Sequence, residues 1–340
     1  MKGRSIILDH LGDREIAALM VDGRLEDLFI ETDAPVPGTI YRARVERPLK
    51  GQGGMILVTP DGPAFLRQTK GLAPGEMLLV QVTGHAEPGK ALPVTRKLLF
   101  KSRHAIVTPD APGLNLSRAI RDEAERERLL EIAHKTGDAA GFGLILRSSC
   151  AGAEAEAISE DVRALTELAA QVMGDAGDAV ETLLDGDGPH RIAWREWAEP
   201  AELFIAPGSL TEHGVLDAID AARAPAEPLP GGGHLYIEPT RALVAVDVNT
   251  GADTSLAAGT KANIACARAL PRALRLRGLG GQITLDLAPM PRKDRRGFET
   301  ALRAAFRTDS DETVLAGWTP LGHFELQRKR SRVPLHEIPR

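Results

Sequence analysis

The last third of the chain carries two short apolar runs with an aspartate near the far end of each. They are Leu243-Val244-Ala245-Val246-Asp247-Val248-Asn249 and Ile283-Thr284-Leu285-Asp286-Leu287. Each has the length of a strand and is too short for a helix. Between them, residues 258–277 place apolar side chains at helical spacing and stop at Gly278. After the second run, residues 294–307 put Phe298, Leu302, Ala305 and Phe306 on one helical face. Strand, helix, strand, helix at these lengths predicts an α/β unit with a parallel pair joined by a helical crossover.

Strand periodicity sets Asp247 and Asn249 on one face and Val244, Val246 and Val248 on the other. An ionised carboxylate in an apolar strand is costly without a partner or a cation. In open α/β sheets, ligands collect at the C-terminal strand ends. Two such aspartates on neighbouring strands make a hard-oxygen site that suits Mg²⁺ with several retained waters. An ion there could activate a water and offset charge on a phosphoryl oxygen. Asn249 stands where an amide could orient Asp247. The bland alternative is that each aspartate caps a helix or bonds a loop. It explains one such residue easily and two, linked by one crossover, poorly.

The rest of the chain reads as smaller units. Ser5–Leu8, Glu15–Val21 and Arg24–Glu31 look like strands, with Asp22-Gly23 as a two-residue hairpin. After the joint Ala34-Pro35-Val36-Pro37-Gly38 come five strand candidates: Thr39–Val45, Gly54–Val58, Ala64–Leu66, Glu76–Val82 and Ala91–Thr95. Their rhythm suits a five-stranded Greek-key barrel of the OB type, with an SH3-like barrel or an open meander as alternatives. Helices are expected over Leu116–Ala133, capped by Asn115 or Ser117, then over Glu156–Met173 and Leu210–Ala222. Strands are expected at Gly141–Ser148 and Arg191–Trp194, and the turn Pro228–Gly233 marks a boundary.

Composition narrows the function classes. No apolar run approaches the ~18 residues of a membrane span, and Ile6-Ile7-Leu8 is too short for a signal-peptide core. Cys150 and Cys266 lie far apart with no metal-ligand spacing, so a reduced, cytoplasmic protein is expected. The net charge of −5 is unevenly spread. Arg268, Arg272, Arg275, Arg277, Arg292, Lys293, Arg295 and Arg296 form one basic stretch, and Arg328, Lys329, Arg330 and Arg332 another. Residues 151–230 are acidic. A local basic field can bind a polyanion despite a negative total; solvated helix faces explain arginine runs equally well.

With these motifs together, the chain resembles the ribonuclease E/G family. Ala245-Val246-Asp247-Val248-Asn249 is similar to the family's strand in which the aspartate binds metal and the asparagine holds it. Leu274-Arg275-Leu276-Arg277-Gly278-Leu279-Gly280-Gly281 with Ile283-Thr284-Leu285-Asp286 resembles the second signature and second metal-binding aspartate. Asn263 matches a position in the intervening helix. Gly322-His323-Phe324-Glu325-Leu326-Gln327-Arg328-Lys329-Arg330 resembles the closing strand and basic segment. Similarity spans the chain and is dense after Leu229.

The resemblance implies a multidomain α/β and β architecture. An RNase-H-like structural domain (residues 1–35 and 178–228) would be split by an S1-type OB-fold (36–99) and a 5′-sensor region (100–177). A DNase-I-like α/β catalytic domain (229–340) would follow. It implies a Mg²⁺-dependent endoribonuclease, with Mn²⁺ as the alternative ion. The substrate would be single-stranded, A/U-rich RNA, cut by a metal-activated water to leave a 5′-phosphate. Catalysis would fall to Asp247, Asp286 and Asn249, with the two aspartates on the metal. RNA would be held by Phe65 and Lys90 in the barrel and by Arg328 and Lys329. A 5′-monophosphate would be sensed by Arg147, Ser148 and Arg118. Phe65 alone reads equally well as a barrel-core residue, and Arg147 alone as a surface ion-pair residue.

Three departures from the family bear on activity. Met55 stands where the barrel carries an RNA-stacking aromatic. Ala288-Pro289-Met290 follows Asp286 where a further acidic residue is found. The paired cysteines of the family's zinc link are absent, so no structural zinc is expected and any homodimer would form without it. Pro271 should also kink the crossover helix. The competing readings are an RNA-binding protein on the same scaffold with weak or no catalysis, and a metal-dependent phosphatase or DNase.

Overall fold

A computed structural model describes residues 3–49, 51, 53–67, 70–136, 141–255 and 257–339. The chain divides into two compact units, residues 33–200 and residues 1–32 with 201–340.

In the first unit, the strands Ile40–Leu49, Gly54–Thr59, Gly62–Leu66, Leu92–Thr95 and Met77–Val82 follow one another in the sheet, and the last pairs back onto the first. The circuit is closed and five-stranded. Its one parallel contact, Gly62–Leu66 with Leu92–Thr95, gives OB-like connectivity. Alternating side chains fill its interior with Tyr41, Ala43, Val45, Met55, Leu57, Leu66 and Val80. A second core lies between the four strands Gly113–Leu116, Gly143–Leu146, Ala105–Thr108 and Phe100–Lys101 and the helices Glu123–Thr136 and Ala155–Met173.

Three local expectations change here. Leu116 ends a strand, and the helix starts at Glu123, where Asp122 Oδ1 accepts the Glu125 N–H at 2.8 Å. Asp122 therefore supplies the cap expected from Asn115 or Ser117. Arg191–Trp194 lies inside a helix, Pro189–Glu196, rather than a strand. Proline at the first helical position favours that start, and Ala193 and Trp197, four apart, turn inward together. In the other unit, Leu210–Ala222 forms two helices, Ser209–Glu212 and Val215–Arg223, because Gly214 takes a left-handed φ of 67° between them.

The second unit opens with the expected hairpin. Asp22 (φ 48°) and Gly23 (φ 77°) both take positive φ, as a two-residue turn of this twist demands. Its strands, Arg4–Leu11, Arg14–Val21 and Arg24–Ile30, join Glu202–Phe204 in a four-stranded sheet.

The remainder of that unit is a six-stranded sheet. Its order is Ala226–Pro228, His234–Pro239, Val244–Asn249, Gly281–Asp286, Phe324–Arg328, Thr313–Trp318. Only Val244–Asn249 and Gly281–Asp286 run parallel. The helix Ala258–Leu276 connects them and runs through Pro271, and Arg295–Arg307 packs beside it. Val244, Val246, Val248, Ile283, Leu285, Phe324 and Leu326 point to one side and bury Cys266, Leu270, Leu274, Phe298 and Leu302 against them. The opposite face is left for polar side chains.

Candidate active site

The register of the parallel pair sets Asp247 directly opposite Asp286. Both are exposed on the face turned away from the core; Asp247 lies between the buried Val246 and Val248, and Asp286 follows the buried Leu285 at its strand's end. Alternation thus delivers two carboxylates to neighbouring points of one surface. Asn249 lies on the same face, two residues beyond Asp247. Its Oδ1 accepts the Gly251 N–H at 2.8 Å, so its oxygen serves the turn. Across the antiparallel neighbour, Tyr236 pairs with Asp247 and His234 with Asn249.

Asn263, matched from sequence only by position, has a defined task. It is fully buried; its Nδ2 donates to the Ala288 carbonyl at 2.8 Å and its Oδ1 accepts the Ala288 N–H at 3.0 Å. The helix start is therefore pinned to the backbone two residues past Asp286. Gly259 permits the approach, since a Cβ there would fall 1.9 Å from the Pro289 oxygen.

Two further residues, named in the sequence only as parts of longer runs, gather at this site. His323 holds its Nδ1 3.3 Å from Asp286 Oδ1; the histidine side chain is 36% exposed and the aspartate 69%. Arg295 lies with its guanidinium carbon 4.1 Å from the Trp318 ring centroid. A Cβ on Gly322 would meet one of its nitrogens at 3.4 Å, which brings that cation to the turn bearing His323. His323 stands inside the run Gly322–Arg330 and Arg295 inside a basic stretch, but neither pattern points to Asp286; the sheet order brings their turn beside it.

The fit to a divalent cation rests on the donor set. Two exposed carboxylates are in register, and an imidazole lies next to one of them. Among the described residues, no three donors around Asp247 and Asp286 lie within 4.8 Å of one another. To hold an ion the side chains would have to close onto it, and a cation that keeps part of its water shell would need the least closure.

The expected RNA contacts separate into two groups. Lys329 is exposed, as are Arg292, Lys293 and Arg296. Arg328 is not: its side chain is 1% exposed and its guanidinium pairs with Asp309 and, at 2.9 Å, with Asp311. Burial takes it off any surface that RNA could touch, and its role is to hold the fold. Arg275 pairs with Glu26 and Asp309, and Arg272 and Arg277 share Glu227. Those arginines belong to ion-pair networks rather than to a basic track.

In the barrel, Phe65 stays outside the core and lays its ring over Gly54, where a Cβ would fall 2.3 Å from the ring. Met55 is in the core and 3% exposed, so the aromatic thought missing at that position would have pointed inward. Lys90 is exposed and pairs with Glu87 at 2.7 Å.

Of the three sensor residues, Arg118 and Ser148 are exposed. Arg147 is committed elsewhere. Its Nη1 donates to the Ser102 carbonyl at 2.6 Å and the Arg195 carbonyl at 3.1 Å, and its Nη2 meets Glu196 at 2.7 Å. Burial pushes the Glu196 carboxyl up, but Lys101, Arg147 and Arg195 outweigh it and hold it at about 2.

The family model described as the ribonuclease E/G family matches residues 100–200 and 202–331. Ribonuclease E of Nostoc sp. (strain PCC 7120) is 29% identical across 95% of this chain and 56% of its own length. Ribonuclease E of Synechocystis sp. (strain PCC 6803) is 28% identical with the same coverage. Ribonuclease G of Salmonella typhimurium is 28% identical across 98% of this chain and 81% of its own. The chain thus spans about half the length of the two ribonuclease E relatives. With the match covering most of its length, this chain belongs to the ribonuclease E/G family.

Proposed function

We infer that the chain is a divalent-metal-dependent endoribonuclease acting on single-stranded RNA. The observation that carries this is the in-register pair Asp247 and Asp286 on the polar face of the six-stranded sheet. Relatives named ribonuclease E and ribonuclease G support the substrate class. Asp247 and Asp286 would hold Mg²⁺, with Mn²⁺ as the alternative. Such an ion supplies Lewis-acid charge for a phosphodiester and acidifies the attacking water.

The protein's own groups do the rest. Asn249, on the same strand face as Asp247 with its Oδ1 accepting the Gly251 N–H, would turn its amide NH₂ toward the bound phosphate or Asp247. Asn263 fixes the backbone after Asp286, so that the second carboxylate is held on a rigid element. Lys329, Arg292, Lys293 and Arg296 give a positive field for the phosphates. Phe65 and Lys90 on the barrel suit a base and a phosphate of a single strand. The products would be a 5′-phosphate and a 3′-hydroxyl, with A/U-rich stretches favoured. A four-part division belongs to the same reading: an RNase-H-like part (1–35, 178–228), an OB part (36–99), a sensor part (100–177) and a DNase-I-like part (229–340). A 5′-monophosphate would reach Arg147 only by competing with Glu196.

The test is a labelled single-stranded RNA incubated with Mg²⁺ or with EDTA. Cleavage should need the ion, and Asp247→Asn and Asp286→Asn should each abolish it while leaving RNA retention on a filter unchanged. Cleavage that survives both substitutions would refute the assignment. Retention without cleavage by the unaltered protein in either ion would favour the binding-only reading.

A further inference from the structure

We propose that His323 is a nitrogen ligand of the cation held at Asp286, and that it tilts the site toward Mn²⁺ over Mg²⁺. The inference rests on the reading of Asp247 and Asp286 as metal ligands, and it adds a donor of a different chemical kind.

Three observations carry it. His323 Nδ1 stands 3.3 Å from Asp286 Oδ1. Two ligands at right angles on one ion, each with a bond of about 2.1–2.2 Å, are separated by roughly 3 Å, so the pair already has nearly the spacing of neighbouring ligands. At that distance either the Nδ1–H tautomer donates to the carboxylate or both atoms bind one cation, so the same geometry admits a shared ion.

The second observation is that the imidazole is carried by a fixed turn. Thr319 N–H donates to the His323 carbonyl at 2.8 Å, Gly322 N–H donates to the Thr319 carbonyl at 3.0 Å, and His323 N–H donates to Thr319 Oγ1 at 3.1 Å. Gly322 takes a φ of 95°, which favours glycine there. A ligand on such a turn loses little freedom on binding. Third, the turn leads into Phe324–Arg328, which is hydrogen-bonded along Gly281–Asp286 with Phe324 opposite Leu285. Sheet register therefore delivers His323 to the end of the strand that carries Asp286.

The metal preference follows from ligand type. Carboxylate and water suit Mg²⁺, which gains little from an imidazole, whereas imidazole favours transition ions. Among ions that also accept carboxylate oxygens in an octahedral shell, Mn²⁺ is the nearest fit.

The experiment uses the full chain and Mn²⁺ alone, with no RNA. Free Mn²⁺ is followed by EPR titration, and bound Mn²⁺ by electron spin echo modulation, which detects a directly ligated imidazole nitrogen. Nitrogen modulation is expected in the unaltered protein and should vanish in His323→Ala and His323→Gln, with Mn²⁺ affinity falling about tenfold and Mg²⁺ affinity far less. The thermal melt of both variants without metal should be unchanged, since the side chain lies at a partly open turn. Mn²⁺ bound through Asp286 without nitrogen modulation, or with equal affinity in the His323 variants, overturns this proposal and leaves the nuclease reading intact. Mn²⁺ binding indifferent to both Asp247→Asn and Asp286→Asn overturns the metal site itself, and His323 with it.

Discussion

Replacing Arg328 by methionine separates a fold-holding role from an RNA-binding one. The guanidinium is 1% exposed and pairs with Asp309, which has no exposed side-chain surface, and with Asp311. It also donates to Thr313 Oγ1 at 3.0 Å. Methionine keeps the bulk and removes the charge, leaving two carboxylates in a poorly solvated place. Breaking a buried pair from one side costs about 3–5 kcal/mol. The lower end applies here, because Asp309 keeps Arg275 and Asp311 keeps Arg332 at 3.8 Å. At about 2–4 °C per kcal/mol for a folding unit of this size, the melting temperature should fall by roughly 6–12 °C. Differential scanning calorimetry reads this directly, with RNA affinity measured below the transition. An unchanged melting temperature together with a clear loss of RNA affinity would show that the guanidinium reaches solvent, and would refute the argument.

Three other outcomes are expected. Phe65→Ala should weaken RNA binding by about 1–3 kcal/mol, as for loss of one stacked base, with little change in barrel stability because the ring lies outside the core; filter binding and a thermal melt check the two halves. Asn263→Leu strands a buried carbonyl and a buried N–H at Ala288, and should cost on the order of 1–3 kcal/mol for each group left unpaired in urea unfolding. Glu196 titrates at about 2 when folded against an ordinary 4.5. Its depressed value stabilises the fold above about pH 4.5, and this contribution is lost as the pH falls toward 2. Glu196→Gln should therefore flatten the acid limb of stability between those values, as followed by circular dichroism.

The parallel pair with its aspartates was legible because period-two alternation and strand length are local properties. Val244, Val246 and Val248 alternate with Asp247 and Asn249 within a single run, and the crossover helix declares its own length. What stayed hidden depends on long-range pairing. The strands 234–239 and 313–318 contain Tyr236, Glu238 and Gly317, which break up any apolar run, and they are strands because each hydrogen-bonds along a neighbour, 234–239 to Val244–Asn249 and 313–318 to Phe324–Arg328. Arg328 and Lys329 look alike in sequence, yet pleating sends one inward to Asp309 and leaves the other outside. Met55 differs from its reading as an RNA-facing position for the same reason, since one residue of register decides which side chain fills a barrel. Arg191–Trp194 reads as a strand in sequence because four residues from one turn of the helix Pro189–Glu196 carry no decisive period.

The placement of the site follows from what the sheet lacks. Helices Ala258–Leu276 and Arg295–Arg307 cover one face, so apolar alternation is satisfied there and every second residue on the other face is free to be polar. A carboxylate on that face keeps its hydration and costs the fold little, whereas the same group on the covered face would need a buried partner, as Asp309 does. Two aspartates can therefore stand side by side in register. In the reading proposed above, a cation would come and go there, and the precision catalysis needs would come from the backbone beneath them. Here it comes from the covered face: Asn263 reaches from the buried helix to both polar groups of Ala288, and Gly259 lets that helix approach Pro289. The exposed carboxylate is held in place by a buried amide, so a change at Asn263 should disturb cation affinity at Asp286 without touching the ion.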